Sequence, residues 1–261
     1  MSAGTSTGLH GKLPGYADFL TRRLPREFVD PWDSWLQSTI AGARDALGEG
    51  WLDAYLTSPV WSFAIQAGVC GPDAWAGVLM PSVDRVGRYF PLTLAVKILS
   101  GVPPGLVSTT AADWFGRAEA LALSCLEDID RSIEDFDRLV QELGCPLESV
   151  GETVGLSPEP DVGFEYEPRH GIALPIEANG GVPASLATFT HALLLDRLDG
   201  PYTLWWTSGS DLVKPVLAAT RGLPAPAAAT ALFDGRFEDT QWLAPGASQQ
   251  IDDTINLGTP P

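Results

Sequence analysis

The stretch Pro81-Ser82-Val83-Asp84-Arg85-Val86-Gly87-Arg88-Tyr89-Phe90-Pro91-Leu92 separates two apolar runs, Trp75 to Met80 and Leu92 to Leu99. Both runs have the length and content of buried strands. Pro81 and Pro91 lack an amide donor and belong at strand ends, and Gly87 supplies the permissive backbone of a tight reversal. The stretch therefore reads as a rigid, charged turn joining two core strands. Asp84 is one residue from Arg85 and four from Arg88, so a carboxylate–guanidinium pair is geometrically easy. An internal pair that stiffens a hairpin is the commoner use of such residues; an arginine turned towards a ligand or partner is the sharper one. Arg85 sits beside Asp84, whereas Arg88 lies past Gly87, so Arg88 is expected to be the arginine that reaches outward.

Working outward, Val60 to Val69 supplies a preceding strand, with Trp61, Phe63 and Ile65 on one face. With Trp75–Met80 and Tyr89–Leu99 it makes an antiparallel meander. Strands this continuously apolar need cover on both faces, and helices must supply it. Asp30-Pro31 is a suitable helix start. The residues Trp32, Trp35, Leu36, Thr39, Ile40, Ala43 and Leu47 then recur at spacings of three and four, which predicts one buried face over 31–47. A short helix follows over 51–56. Beyond the meander, Thr110 to Asp113 reads as a capping box opening a helix over 111–130, and Ser132 with Asp135 as a second one before Phe136 to Leu143. Residues 127–137 hold six carboxylates and one arginine, the pattern of a solvated helix junction, with docking of a basic partner as the other reading.

The connection 145–183 is proline-rich and irregular, with a short strand at Gly171–Leu174. A helical period over 186–198 leads to the strand Tyr202–Thr207, and helices are expected over 212–219 and 225–233. The chain reads as a single domain over 1–243, followed by a disordered tail over 244–261.

Among 261 residues, 16 are basic and 33 acidic, a net charge of −17. That balance disfavours nucleic acid and anionic membranes as partners. Met1–Gly8 shows no signal-peptide pattern, no apolar run reaches the ~20 residues of a membrane span, and Cys70, Cys125 and Cys145 suggest no disulfide framework. A cytoplasmic protein is expected. His10, His170 and His191 have no metal-ligand spacing, and no motif calls for a cofactor. Gly11-Lys12 fails as a phosphate loop, because Ser6 replaces the first glycine and Leu13 the magnesium-binding hydroxyl. Asp18, Asp33 and Asp84 lack any spacing that would make them an acid/base set.

Several motifs are familiar together. Gly11-Lys12-Leu13-Pro14-Gly15-Tyr16-Ala17-Asp18-Phe19, Trp32-Asp33-x-Trp35-Leu36-Gln37, Pro59-Val60-Trp61-Ser62-Phe63, the charged turn itself, Leu204-Trp205-Trp206-Thr207-Ser208-Gly209 and Gly222-Leu223-Pro224 resemble the TagF family of type VI secretion accessory proteins. The resemblance runs from about Leu9 to about Phe237. It implies a three-layer α/β/α sandwich around a mostly antiparallel sheet. It also implies a non-enzymatic cytoplasmic regulator that represses type VI secretion after translation by binding the forkhead-associated-domain scaffold protein. The family has no established catalytic residues to carry over. Asp18, Asp84, Arg85, Arg88 and Trp206 are the candidate partner-binding residues. Two other readings stay open: a small-molecule or phosphate sensor using Arg85 and Arg88, and a hydrolase built on Asp18 and Asp84.

Overall fold

Apolar side chains alternate between two cores along every central strand, so the chain forms a sheet with helices on both faces. The structure is a computed structural model that describes residues 6–98, 102, 104–146, 171–175, 200–238 and 242–243. Its elements are β1 (Gly8–Gly11), β2 (Leu20–Arg22), α1 (Arg26–Leu47), α2 (Trp51–Leu56), β3 (Trp61–Ile65), β4 (Ala74–Met80) and β5 (Leu92–Ile98). After these come α3 (Pro104–Thr110), α4 (Ala112–Glu127), α5 (Ile133–Glu142), β6 (Gly171–Pro175), β7 (Tyr202–Thr207) and β8 (Val216–Arg221). Two short helices, Pro226–Ala229 and Ala231–Asp234, and β9 (Trp242–Leu243) complete the described chain. The nine strands lie in the order β2-β1-β5-β4-β3-β7-β8-β6-β9. All neighbours are antiparallel except β6 and β9. The predicted meander β3-β4-β5 is its centre.

On one face Trp61, Phe63, Ile65, Trp75, Leu79, Ala95, Trp205 and Ala218 pack under α1 and the two short helices. On the other, Ala64, Ala76, Val78, Leu94, Val96, Leu204, Trp206 and Leu217 pack under α3, α4 and α5. Trp32 is the centre of the first core. Its ring lies 4.7 Å from Phe63 and 4.9 Å from Trp35 and stacks at 5.9 Å on Trp205, while its Nε1 donates to Thr93 Oγ1 on β5 at 2.9 Å. Gly77 makes that layer possible. A Cβ there would lie 2.5 Å from the Phe63 ring and 2.3 Å from the Leu94 carbonyl oxygen, so only hydrogen lets Phe63 lie across β4.

Several elements differ from the sequence reading. Helix α1 begins at Arg26, not at Pro31. Fully buried Phe28, 4.4 Å from Trp75, holds an extra turn, and Pro31 sits early enough to forfeit only the bond to the Glu27 carbonyl. Thr110 does not cap α4. It ends the separate helix α3, and its hydroxyl donates back to the Leu106 carbonyl. The expected helix 212–219 is in fact strand β8. Its alanines favour helix in isolation, but Ala218 stands opposite Trp205, where a small residue leaves room for the indole, so packing overrides propensity. The strands also shorten at their ends: β3 stops at Ile65 and β5 starts at Leu92. The Ser132 cap does hold, its Oγ accepting from the Asp135 amide at 3.1 Å and donating to the Asp135 carboxylate at 2.8 Å. The helical reading over 186–198, the tail and most of 145–183 lie outside the described residues.

Candidate functional site

The charged turn closes on itself through a bridge between Val83 and Tyr89, with the Asp84 amide donating to the Arg88 carbonyl at 3.0 Å and the Gly87 amide to the Asp84 carbonyl at 3.0 Å. Gly87 has φ +86°, a conformation a Cβ would oppose. Inside this loop the Asp84 side chain has no solvent exposure. Its Oδ1 accepts from the amides of Val86 (3.0 Å) and Arg88 (2.9 Å), and its Oδ2 from Lys12 Nζ (2.5 Å) and Arg88 Nε (2.7 Å). Burial works against the charge. The Lys12 ammonium, the Arg88 amide and guanidinium and the Val86 amide outweigh it, and they hold the carboxyl well below the usual carboxylate range.

Lys12 comes from just past β1, and its own carbonyl accepts from Ser82 Oγ at 2.8 Å. Ser82 is gripped in turn by Tyr55, whose hydroxyl donates to the Ser82 carbonyl at 2.9 Å and lies 3.0 Å from the Ser82 amide. The segment after Lys12 is clamped on all sides. Arg88 Nη2 donates to the Ala17 carbonyl, the Arg85 amide donates to the Tyr16 carbonyl at 3.0 Å, and Tyr16 Oη donates to the Arg131 carbonyl at 3.3 Å. Gly15 presses on the junction between α4 and α5, where an added Cβ would stand 2.2 Å from the Ile129 carbonyl oxygen. Residues 12–19 and the turn 82–90 are thus one unit, 70 residues apart in the chain.

On that unit stand Phe19, 50% exposed, and Val86, 62% exposed. Phe19 packs edge-on against buried Phe90 at 4.7 Å, and the Lys12 ammonium lies 5.1 Å from its centroid. Behind it His10 lies 3.2 Å from Asp33 Oδ1 and 2.9 Å from Thr21 Oγ1 through its two ring nitrogens. Burial lowers its pKa, against the opposing pull of Asp33.

The five residues singled out from sequence fall into three groups. Asp84 and Arg88 meet, with Lys12 as a third member. Asp18 and Arg85 are exposed and their side chains have no partner among the described residues. Trp206 is buried, its ring 4.7 Å from Phe115 of α4 in the core, so its indole offers a partner no surface. The expected roles of the arginines are exchanged. Gly87 turns the chain back, so Arg88 returns to Asp84, and Arg85 is the guanidinium left facing solvent. Lys12, Phe19 and Val86 carry no local signal in the sequence: nothing beside Gly11-Lys12 links it to Asp84.

The cleft lined by Leu13, Tyr16, Cys125, Ile129 and Phe136 has about 10 Å³ of water-accessible space, room for one water at most. The described residues contain no group of three or more His, Cys, Asp or Glu side chains placed to hold a metal. The buried thiols of Cys70 and Cys125 are pushed up to about 12 by burial, which makes them poor nucleophiles.

The fold is thus an α/β/α sandwich whose charged side chains lock two motifs together under a small apolar and cationic tip. Residues 8–143, just over half of the chain, match the family described as the TagF N-terminal domain, type VI secretion system-associated. The chain belongs to that family. Among solved structures it is similar to PA0076 from Pseudomonas aeruginosa PAO1, with 36% identity and a TM-score of 0.66 over 88% of this chain and 94% of that one. Among proteins of curated function, none matches.

Proposed function

We propose that this protein is a non-enzymatic cytoplasmic regulator that represses type VI secretion after translation by binding the forkhead-associated-domain scaffold protein. The contact surface is the tip formed by Arg85, Val86, Phe19 and Asp18. Membership of the TagF family supports the setting, and one observation carries the surface. The four hydrogen bonds on Asp84 fix the turn without using the side chain of Arg85 or of Val86, so a free guanidinium and an exposed apolar side chain stand on a rigid base, which lowers the ordering cost of association. The same four bonds occupy both Asp84 oxygens, leaving none to activate a water as a hydrolase would require.

The test is affinity for the scaffold protein at two salt concentrations, for wild type, Arg85→Gln and Val86→Ser. Arg85→Gln is expected to bind more weakly and with a shallower salt dependence, as an exposed charged contact does. Val86→Ser is expected to weaken binding at both salts alike. Unchanged affinities and slopes in both, with melting temperatures also unchanged, would move the contact elsewhere.

A further inference from the structure

The outward side of a surface helix is normally polar, and α4 breaks that rule. Its inward side is conventional: Trp114, Phe115, Ala118, Ala122 and Cys125 are buried. Its outward side carries Ala112, Gly116, Ala120, Leu123 and Leu126, all exposed, with Arg117 as the helix's one exposed base, and the stripe continues into Ile129. Leu123 is 40% exposed, Leu126 50% and Ile129 56%. Among the described residues eight large apolar side chains are exposed, and three of them fall within residues 123–129. A Cβ on Gly116 would meet nothing within 4 Å, so the middle of the stripe is open. Carboxylates frame it: Asp113, Glu119, Glu127, Asp130 and Glu134 have no hydrogen-bond or ion-pair partner among the described residues. Glu119, one turn before Leu123, is half-buried with no counter-ion, and burial raises its pKa.

We propose that the outward face of α4, from Gly116 to Ile129, is a docking surface for a basic amphipathic helix of another protein. The apolar stripe receives the helix's apolar face, in the helix-on-groove mode, and the framing carboxylates pair with its lysines and arginines. Charge decides between occupants. A second copy of this chain would bring the same five carboxylates and a net charge of −17 against the stripe. The chain's own remaining segments are unsuited as well: 147–170 and 176–199 contain one arginine each and no lysine, and 244–261 neither. This surface uses other residues than the Arg85–Val86 tip and is tested without the scaffold protein, so either reading can fail alone.

The probe is a fluorescein-labelled 18-residue Lys/Leu peptide with one apolar face, compared with a scrambled peptide of equal composition, by anisotropy against the full chain. The scrambled peptide reports plain charge attraction. Wild type is expected to bind the amphipathic peptide at least tenfold more tightly than the scrambled one. Leu123→Ser/Leu126→Ser should abolish that difference with an unchanged melting temperature, since both side chains are exposed. Glu119→Gln/Glu127→Gln should flatten the salt dependence of binding. A control, Leu52→Ser/Leu56→Ser on the exposed side of α2, should bind as wild type does. Equal binding of the two peptides would overturn the proposal, as would a Leu123/Leu126 variant that behaves as wild type or a control that loses as much. Sedimentation showing a dimer that the Leu123/Leu126 variant dissociates would assign the face to a second copy and overturn it equally.

Discussion

Replacing Asp84 by Asn removes the negative charge at the point where Lys12 and Arg88 converge. The two cations do not suffer alike. Arg88 is 58% exposed at the side chain and recovers water, whereas the Lys12 side chain is 4% exposed and is left as a buried ammonium without a counter-ion. Breaking a buried pair from one side costs about 3–5 kcal/mol. For a domain of this size that lowers the melting temperature by roughly 6–20 °C. Arg88→Gln leaves the Lys12–Asp84 pair intact and is expected to cost only about 1–2 kcal/mol. Lys12→Met combined with Asp84→Asn removes both buried charges, and the double variant should be more stable than the sum of its singles by about 2 kcal/mol or more. Urea denaturation of wild type, the three single variants and the double variant measures all of this. The Asp84 pKa is depressed in the fold, so the stability it contributes is complete above the unfolded carboxyl value near ~4 and is lost as pH falls through the folded one. Asp84→Asn should therefore flatten the acid limb of the stability curve. An Asp84→Asn protein within 1 kcal/mol of wild type, or less destabilised than Arg88→Gln, would refute the account of a buried charge held chiefly by Lys12.

Trp35→Ala should cost about 3–5 kcal/mol in denaturant unfolding, because Trp35 is buried and its Nε1 donates to the Pro224 carbonyl at 2.8 Å; lost scaffold binding with unchanged stability would make it a contact instead. Gly77→Ala should leave little soluble folded protein on expression, since its Cβ meets backbone as well as the Phe63 ring. The His10 pKa is lowered, so the unfolded chain takes up its proton first as pH falls below the usual ~6.5, and stability declines there by at most about 1.4 kcal/mol per pH unit. His10→Gln should be flatter over that interval in melting scans between pH 7 and pH 5.

The meander was legible because β3, β4 and β5 are near-continuous apolar runs with Pro81 and Pro91 at their ends, a signal that needs no distant partner. The face of α1 was legible for the same reason, since Trp32, Trp35, Leu36 and Ile40 follow the helical period. β8 was not, because Ala218 and Ala219 make sense only opposite Trp205 and Leu204, and a strand's neighbours are not written beside it. The site divided in the same way. Spacing brought Asp84 and Arg88 together, but Lys12 lies 72 residues away and completes the network only after the sheet has formed. The exchange of roles between the arginines turned on the conformation of Gly87 alone, which sequence permits without dictating.

Residues 8–143 match the family, yet that boundary cuts through the sheet. Strand β3 is paired on one side with β4 and on the other with β7, Phe63 opposite Trp205, and Trp61 Nε1 donates to the Leu232 carbonyl at 2.9 Å. A gene fragment trimmed to the matched segment would strip β7 and β8 away and open a four-residue ladder of unpaired amides and carbonyls, Ser62 to Ile65, beside Trp61, Phe63 and Ile65. Such an edge recruits foreign strands. The segment most recognisable by inheritance is therefore a poor unit for expression, and the second half of the chain, however much it diverges, is obliged to keep a strand that fits beside β3.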